Sequence, residues 1–252
     1  MAASFRLDGR CALVTGASRG LGQAMAVALA EAGADVAGVA TSALDDTRAR
    51  VEAAGRRFTS IAQDLRGLDA ARGAVDQAVA AMGRLDILVN NAGIIRRADA
   101  VDFTEADWDD VIDVNLKSVF FLAQAAGRRF IAQGGGGKIV NVASVLSFQG
   151  GIRVPSYTAA KSGVLGLTRL LANEWAAKGI NVNAIAPGYM ATANTAPLRA
   201  DAARSAEILA RIPAGRWGQP GDLAGAVVFL CSTASDYVHG SVIAVDGGWL
   251  AR

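Results

Sequence analysis

The sequence predicts an α/β fold: one doubly wound sheet of about seven parallel strands with helices on both faces. Three observations predict it. Short apolar runs of about five residues recur along the chain and lack the alternation of a half-exposed strand, so they read as strands buried on both faces. Longer helical patterns lie between them, and strand–helix alternation of this kind builds a parallel sheet. A glycine-rich turn joins the first strand to the first helix, the context in which such a turn carries meaning. The 252 residues are 52% hydrophobic, enough for a sizeable core, and no linker-like stretch divides them. Residues 1–252 are therefore expected to form one domain.

The first strand is 11–15, and Gly16-Ala17-Ser18-Arg19-Gly20-Leu21-Gly22 follows at once. A helix is expected over 21–32, with Gly33 as its stop. Glycine lets backbone N–H groups approach a pyrophosphate at a helix N-terminus. The spacing is Gly-x-x-x-Gly-x-Gly rather than Gly-x-Gly-x-x-Gly, and a tight turn without a ligand is the bland alternative. The second strand, 36–40, runs out into Thr41-Ser42-Ala43-Leu44. Many NAD-binding proteins carry an acid here for the adenosine ribose; this chain has neither acid nor arginine at that place. The choice of NAD or NADP stays open, and Arg19 either meets a 2′-phosphate or lies in solvent.

Helix 44–54 leads to strand 58–62, closed by Asp64-Leu65. Asp64 is placed to contact an adenine edge or, equally, to cap the next helix. Helix 67–82 ends at Gly83, and strand 85–89 runs into Asn90-Asn91-Ala92-Gly93. That tetrad supplies amides and bare backbone for a cofactor to lie against; alone it is only a turn. Helix 105–132 holds Asn115 amid Val111, Ile112, Val114, Leu116 and Val119. Buried, such an amide needs partners; on the polar face it needs none. Strand 138–143 ends at Ser144. Helix 156–178 carries Ser156-Tyr157-Thr158-Ala159-Ala160-Lys161, and strand 180–186 ends in Pro187-Gly188. Segment 189–215 breaks the alternation and is expected to be a lid over a site. Helix 220–234 and strand 241–245 complete the series.

Tyr157 and Lys161 are four residues apart, so they share one helix face. A phenol with a reference pKa of ~10 is a poor acid or base at neutral pH. A nearby ammonium favours the phenolate and brings it toward working range. On this tetrad alone, an ordinary surface pair explains the spacing equally well.

Composition excludes other classes. Net charge is +2 and no basic run exceeds two residues, so no nucleic-acid footprint is present. Cys11 and Cys231 read as buried small hydrophobes in a reducing compartment. The stretch from Met1 to Asp8 has no apolar core, and 23–44 is interrupted by Gln23, Glu31 and Asp35. Neither a signal peptide nor a membrane span is expected, and a cytoplasmic location follows. No metal site is expected.

Taken together, these motifs resemble the short-chain dehydrogenase/reductase superfamily, from Leu7 to the end of the chain. The residues that carry it are Thr15 to Gly22, Asn90-Asn91-Ala92-Gly93, Asn115, Ser144, Tyr157, Lys161 and Pro187-Gly188-Tyr189-Met190-Ala191-Thr192. The resemblance implies a Rossmann-type fold and a nicotinamide cofactor, NAD with NADP not excluded. It implies that Tyr157 is the general acid/base and that Lys161 lowers its pKa and bonds the nicotinamide ribose. Ser144 would donate to the substrate carbonyl, and Asn115 would hold a water linking Lys161 to solvent. Gly16, Ser18, Gly20 and Leu21 would surround the pyrophosphate region, with Arg19 of the same loop counted among the cofactor-binding residues. Asp64 and Leu65 would flank adenine, and Asn91, Ala92 and Gly93 would lie along the cofactor. Pro187, Gly188, Met190 and Thr192 would contact its nicotinamide end.

A closer resemblance sits in the second half. Leu146-Ser147-Phe148-Gln149-Gly150-Gly151-Ile152-Arg153-Val154-Pro155, Ile212-Pro213-Ala214-Gly215-Arg216-Trp217 and Trp249-Leu250-Ala251-Arg252 look like the sugar-acid branch. That branch comprises 2-deoxy-D-gluconate 3-dehydrogenases, also described as 2-dehydro-3-deoxy-D-gluconate 5-dehydrogenases, of uronate breakdown. A sugar acid needs a fixed cation and polar groups in its pocket. Gln149, Arg153 and Arg97, with Ser144 and Tyr157, are expected to border it; Arg96 stands close by. The alternatives are an NADPH-dependent reductase of 3-oxoacyl thioesters or other small ketones, with a more apolar pocket, and a non-catalytic dinucleotide sensor. The resemblance also implies a homotetramer paired through helices 105–132 and 156–178, with tail 249–252 reaching a neighbour.

Overall fold

Runs of small and β-branched apolar residues become seven parallel strands in a computed structural model, which describes residues 4–252. The readings made on Met1, Ala2 and Ala3 lie outside these residues. In chain order the main elements are β1 (Cys11–Thr15), α1 (Gly20–Glu31), β2 (Asp35–Ala40), α2 (Asp45–Ala53), β3 (Phe58–Ala62), α3 (Leu68–Met82) and β4 (Ile87–Asn90). Then come α4 (Glu105–Ile112), α5 (Ser118–Gln133), β5 (Gly137–Val142), α6 (Pro155–Trp175), β6 (Ile180–Pro187), α7 (Ala196–Ala200), α8 (Ala202–Arg211), α9 (Ala224–Cys231) and β7 (Val242–Val245). The sheet order is β3-β2-β1-β4-β5-β6-β7, and each neighbouring pair is parallel. This is the Rossmann-type doubly wound order expected.

Side chains alternate across a strand, so consecutive residues of β1 serve two cores. Val14 packs with Met25 and Leu29 of α1 and Val227 and Leu230 of α9. Leu13 faces the other side, with Val75 of α3, Leu122 and Phe130 of α5, and Leu171 of α6. The covered faces explain why the strands read as continuous apolar runs.

Three expected helices are interrupted. Helix 105–132 is divided by a π-helical turn over Asp113–Lys117, which seats Asn115 in the interior. Helix 156–178 ends as α-helix at Trp175 and finishes as a 3-10 turn over Ala176–Lys178. Helix 220–234 opens as a 3-10 turn at Pro220–Leu223 and breaks again after Cys231. There the Ser232 side chain accepts the Ala234 N–H, a local bond that competes with helix continuation.

Segment 189–215 holds two short helices, α7 and α8. Ile208 and Ile212 join Val145 and Trp249 in a small separate core. Trp249 is only 4% exposed, and its ring lies 4.6 Å from that of Tyr189. Trp249 therefore docks on its own chain beside the Ser144 turn, while Ala251 and Arg252 are exposed. Among the described residues no helix is long and apolar enough to cross a membrane.

Candidate active site

Strand connections diverge between β1 and β4, so the loops beyond their carboxyl ends part. A cleft of about 750 Å³ opens there. Its floor begins at the glycine turn. Gly16 and Gly20 have φ of 66° and 60°, a region costly for other residues. A Cβ on Gly22 would lie 2.1 Å from the Gly16 carbonyl oxygen. The turn's own backbone thus demands the Gly-x-x-x-Gly-x-Gly spacing. Helix α1 starts with no side-chain cap and no acid in its first turn. Its free N–H groups and positive dipole end are open to an anion, and the arrangement fits a dinucleotide pyrophosphate.

The cleft gathers residues that the sequence singled out from six separate segments. Gly16, Ser18, Arg19, Gly20 and Leu21 line it, as do Asp64, Leu65, Asn91, Ala92 and Gly93. Pro187, Gly188, Met190 and Thr192 line its other end. Asn91 braces the glycine turn, with Nδ2 donating to the carbonyls of Thr15 at 2.9 Å and Gly16 at 3.3 Å. Asp64 is gripped by Arg66 at 2.6 Å, and that hydrogen bond holds its carboxyl below the ordinary range. The cap residue of α3 is Gly67, with no side-chain bond, so Asp64 is not its cap. At the end of β2 the Ser42 hydroxyl donates to that of Ser18 at 2.8 Å. No carboxylate stands there, and Arg19 is exposed beside the pair.

Ser144, Tyr157 and Lys161 line the same cleft. Ser144 follows β5 and caps a single 3-10 turn, Val145–Ser147. Its Oγ accepts the Leu146 N–H at 3.1 Å, which leaves the hydroxyl proton to donate outward. Tyr157 stands in the first turn of α6, where Pro155 presets the helical φ. Burial pushes the Tyr157 phenol up, opposed by a hydrogen bond with Ser144 and the charge of Arg97. Lys161 is 4% exposed, and its Nζ donates to the Val142 carbonyl at 2.6 Å. Burial pulls its ammonium down to about 8. That ammonium lies 5.7 Å from the centre of the Tyr157 ring. Arg97 supplies a charge that opposes the rise of the phenol, while the Lys161 Nζ is committed to the Val142 carbonyl.

Asn115 is wholly buried and does not line the cleft. Its Oδ1 accepts the Ile94 N–H and its Nδ2 donates to the Ile94 carbonyl, both at 2.9 Å. The amide clasps the loop after Gly93 to the π turn.

The residues expected to border the substrate fare differently. Gln149 accepts from Arg211 at 2.9 Å. Arg153 pairs with Asp99 at 3.1 Å and has φ of 62°, while its carbonyl accepts the Ala98 N–H. Neither lines the cleft. Arg96 lines it but is bound to Asp107 and Asp110. Arg97 does not line the cleft either; it is exposed, and its guanidinium donates to a neutral acceptor, the Asn194 carbonyl, at 2.9 Å. Among the described residues no carboxylate lies within ion-pair reach of it. Sequence reasoning missed Asn194, Thr195 and Arg199, which also line the cleft. The one local signal was the Thr-x-x-Thr pattern, which forms a reciprocal cap at Thr192 and Thr195.

Comparison with known proteins bears on this geometry. Residues 16–250 match a family described as Enoyl-(Acyl carrier protein) reductase. A 2-dehydro-3-deoxy-D-gluconate 5-dehydrogenase of Escherichia coli (strain K12) is 65% identical over 249 residues, 99% of this chain and 98% of its own. The chain belongs to the short-chain dehydrogenase/reductase family. Solved structures of family members superpose closely. One from Agrobacterium tumefaciens, described as a 2-deoxy-D-gluconate 3-dehydrogenase with bound NADP, has TM-score 0.93 and 61% identity, covering 98% of this chain and 99% of its own. A gluconate 5-dehydrogenase from Burkholderia cenocepacia J2315, in complex with NADP and tartrate, has TM-score 0.93 and 42% identity, covering 98% of each chain. The protein is accordingly an NAD(P)-dependent oxidoreductase acting on a CH–OH group.

Proposed function

We propose that the protein transfers a hydride between NAD(P) and a keto or hydroxy group of a deoxy sugar acid of the 2-dehydro-3-deoxy-D-gluconate type. The observation that carries this reading is Arg97, an exposed arginine without a carboxylate partner among the described residues, whose charge acts on the Tyr157 phenol. The high identity to a relative of that name supports it. Bound nicotinamide supplies or accepts the hydride. Ser144 donates a hydrogen bond from its hydroxyl to the substrate oxygen and fixes it as charge develops. Tyr157 exchanges the proton with that oxygen. Lys161 places a cationic group one turn along α6 and is the residue that would hold the nicotinamide ribose. Arg97 takes the substrate carboxylate, a pairing strengthened by its planar, charged donors. Asn115 keeps the Arg97 loop in place through Ile94. Residues 189–215 act as the lid, since Thr192, Asn194, Thr195 and Arg199 overhang the cleft. The enzyme works in the cytoplasm as a homotetramer.

Steady-state kinetics with keto-deoxy uronates and one 3-oxoacyl thioester, each with NADH and NADPH, tests the reading. The sugar acid is expected to give the highest kcat/KM; a preference for the thioester sinks it. Arg97→Ala is expected to raise KM for the sugar acid by about 10- to 100-fold, the loss of one charge-assisted bond. It should leave a ketone without a carboxylate unaffected. Arg19→Ala separates the cofactors in the same assay. Because no acid stands at the end of β2, Arg19 is free to meet a 2′-phosphate. KM for NADPH should rise by about 10-fold or more with that for NADH little changed; equal changes in both would place Arg19 in solvent.

A further inference from the structure

Ser147 has no role in the proposed chemistry, yet it touches the backbone of two residues that do. It ends the 3-10 turn that Ser144 caps. Its Oγ donates to the main-chain carbonyl of Lys161 at 2.7 Å. The same oxygen accepts the N–H of Ser144 at 3.3 Å. A hydroxyl has one proton and two lone pairs, so both bonds form together and hold one rotamer. They close a ring: Ser147 to Lys161, Lys161 Nζ to the Val142 carbonyl, then along the chain to Ser144 and back. The ring joins the end of β5 to the second turn of α6.

We infer that Ser147 is a positioning residue for the reaction, whose hydroxyl sets the distance between Ser144 and the turn of α6 carrying Tyr157 and Lys161. This rests on the catalytic reading given above. Neither Ser144 nor Lys161 has another side chain tying its main chain across this gap among the described residues. Without the hydroxyl, Ser144 loses the acceptor for its N–H and the two segments move independently. A shift of about 1 Å between reacting groups costs on the order of 10²-fold in rate.

The test compares Ser147→Ala, Ser147→Thr and Tyr157→Phe in purified full-length enzyme. Ser147→Ala should lower kcat by about 10- to 100-fold while cofactor Kd and substrate KM change less than about 3-fold. Its kcat–pH profile should also be displaced, because the Tyr157–Lys161 turn has moved against Ser144; a merely structural role would not move it. Ser147→Thr, which keeps the oxygen, should retain most of the activity. If Ser147→Ala does not fold, Ser147→Cys, with its weak donor and acceptor, is read the same way. A kcat within about 2-fold of the parent, or a fall in kcat with an unmoved pH profile, overturns the proposal. With Tyr157→Phe inactive, such a result removes the role of Ser147 alone. A fully active Tyr157→Phe overturns the catalytic reading and the Ser147 role with it.

Discussion

Tyr157→Phe is expected to lower kcat by about 10²- to 10⁴-fold, the usual contribution of a positioned acid/base. The ring is half-buried in the first turn of α6, so phenylalanine keeps its packing. Only the hydroxyl is removed. Cofactor affinity should change less than about 3-fold, because the glycine turn and α1 are untouched. The measurements are single-turnover hydride transfer and cofactor binding by fluorescence. Oxidoreductase activity near the parent rate would remove Tyr157 from the chemistry and leave Ser144 as the surviving proton donor in the cleft.

Lys161→Met should lose activity and gain stability at pH 7. The two effects have one cause. Burial disfavours the ammonium and brings Lys161 to about 8 in the folded protein, against ~10.4 for a free lysine. The sign is fixed by linkage. Below pH 8 both states carry the proton, and the folded state bears the full cost of burying it. Between about 8 and 10.4 the unfolded chain binds the proton and the folded one does not, so stability rises with pH there. Methionine removes the cost at neutral pH but also removes the bond to the Val142 carbonyl. The net gain is on the order of 1 kcal/mol, a rise in Tm of roughly 2–4 °C at this chain length. The gain should shrink as pH rises from 8 to 10. Differential scanning calorimetry at pH 7 and pH 10 checks this. A methionine variant that melts lower than the parent at pH 7 would mean that Lys161 is stabilised where it stands. Rate should fall by at least about 10²-fold, which makes Lys161 a place where function is held at a cost in stability.

The seven-stranded fold was legible because its signals are local. Val, Ile and Ala runs of strand length alternate with helical stretches, and the glycines at 16, 20 and 22 answer to the backbone of a single turn. The Tyr157–Lys161 pair was legible for the same reason, since four residues along a helix return to one face. What was not legible turned on partners far apart in the chain. Arg96 and Arg97 are adjacent, yet Arg96 is neutralised by Asp107 and Asp110 while Arg97 meets no carboxylate among the described residues and donates to the Asn194 carbonyl, 97 residues on. Arg153 and Gln149 sit beside the catalytic residues in sequence but are held by Asp99 and Arg211. Asn115 had a buried and an exposed reading until the π turn and Ile94 chose the first.

By itself, then, the sequence determined the sheet, the glycine turn, and which hydroxyls, phenol and amine reach the cleft. Periodicity and turn chemistry act over a few residues and are written in the chain directly. The tertiary structure alone decided that Arg96 is neutralised while Arg97 meets no carboxylate among the described residues, that the lysine is desolvated, and that Ser147 ties the Ser144 turn to α6. Charge pairing, burial and a hydroxyl's choice of acceptor depend on atoms brought close only when distant segments pack.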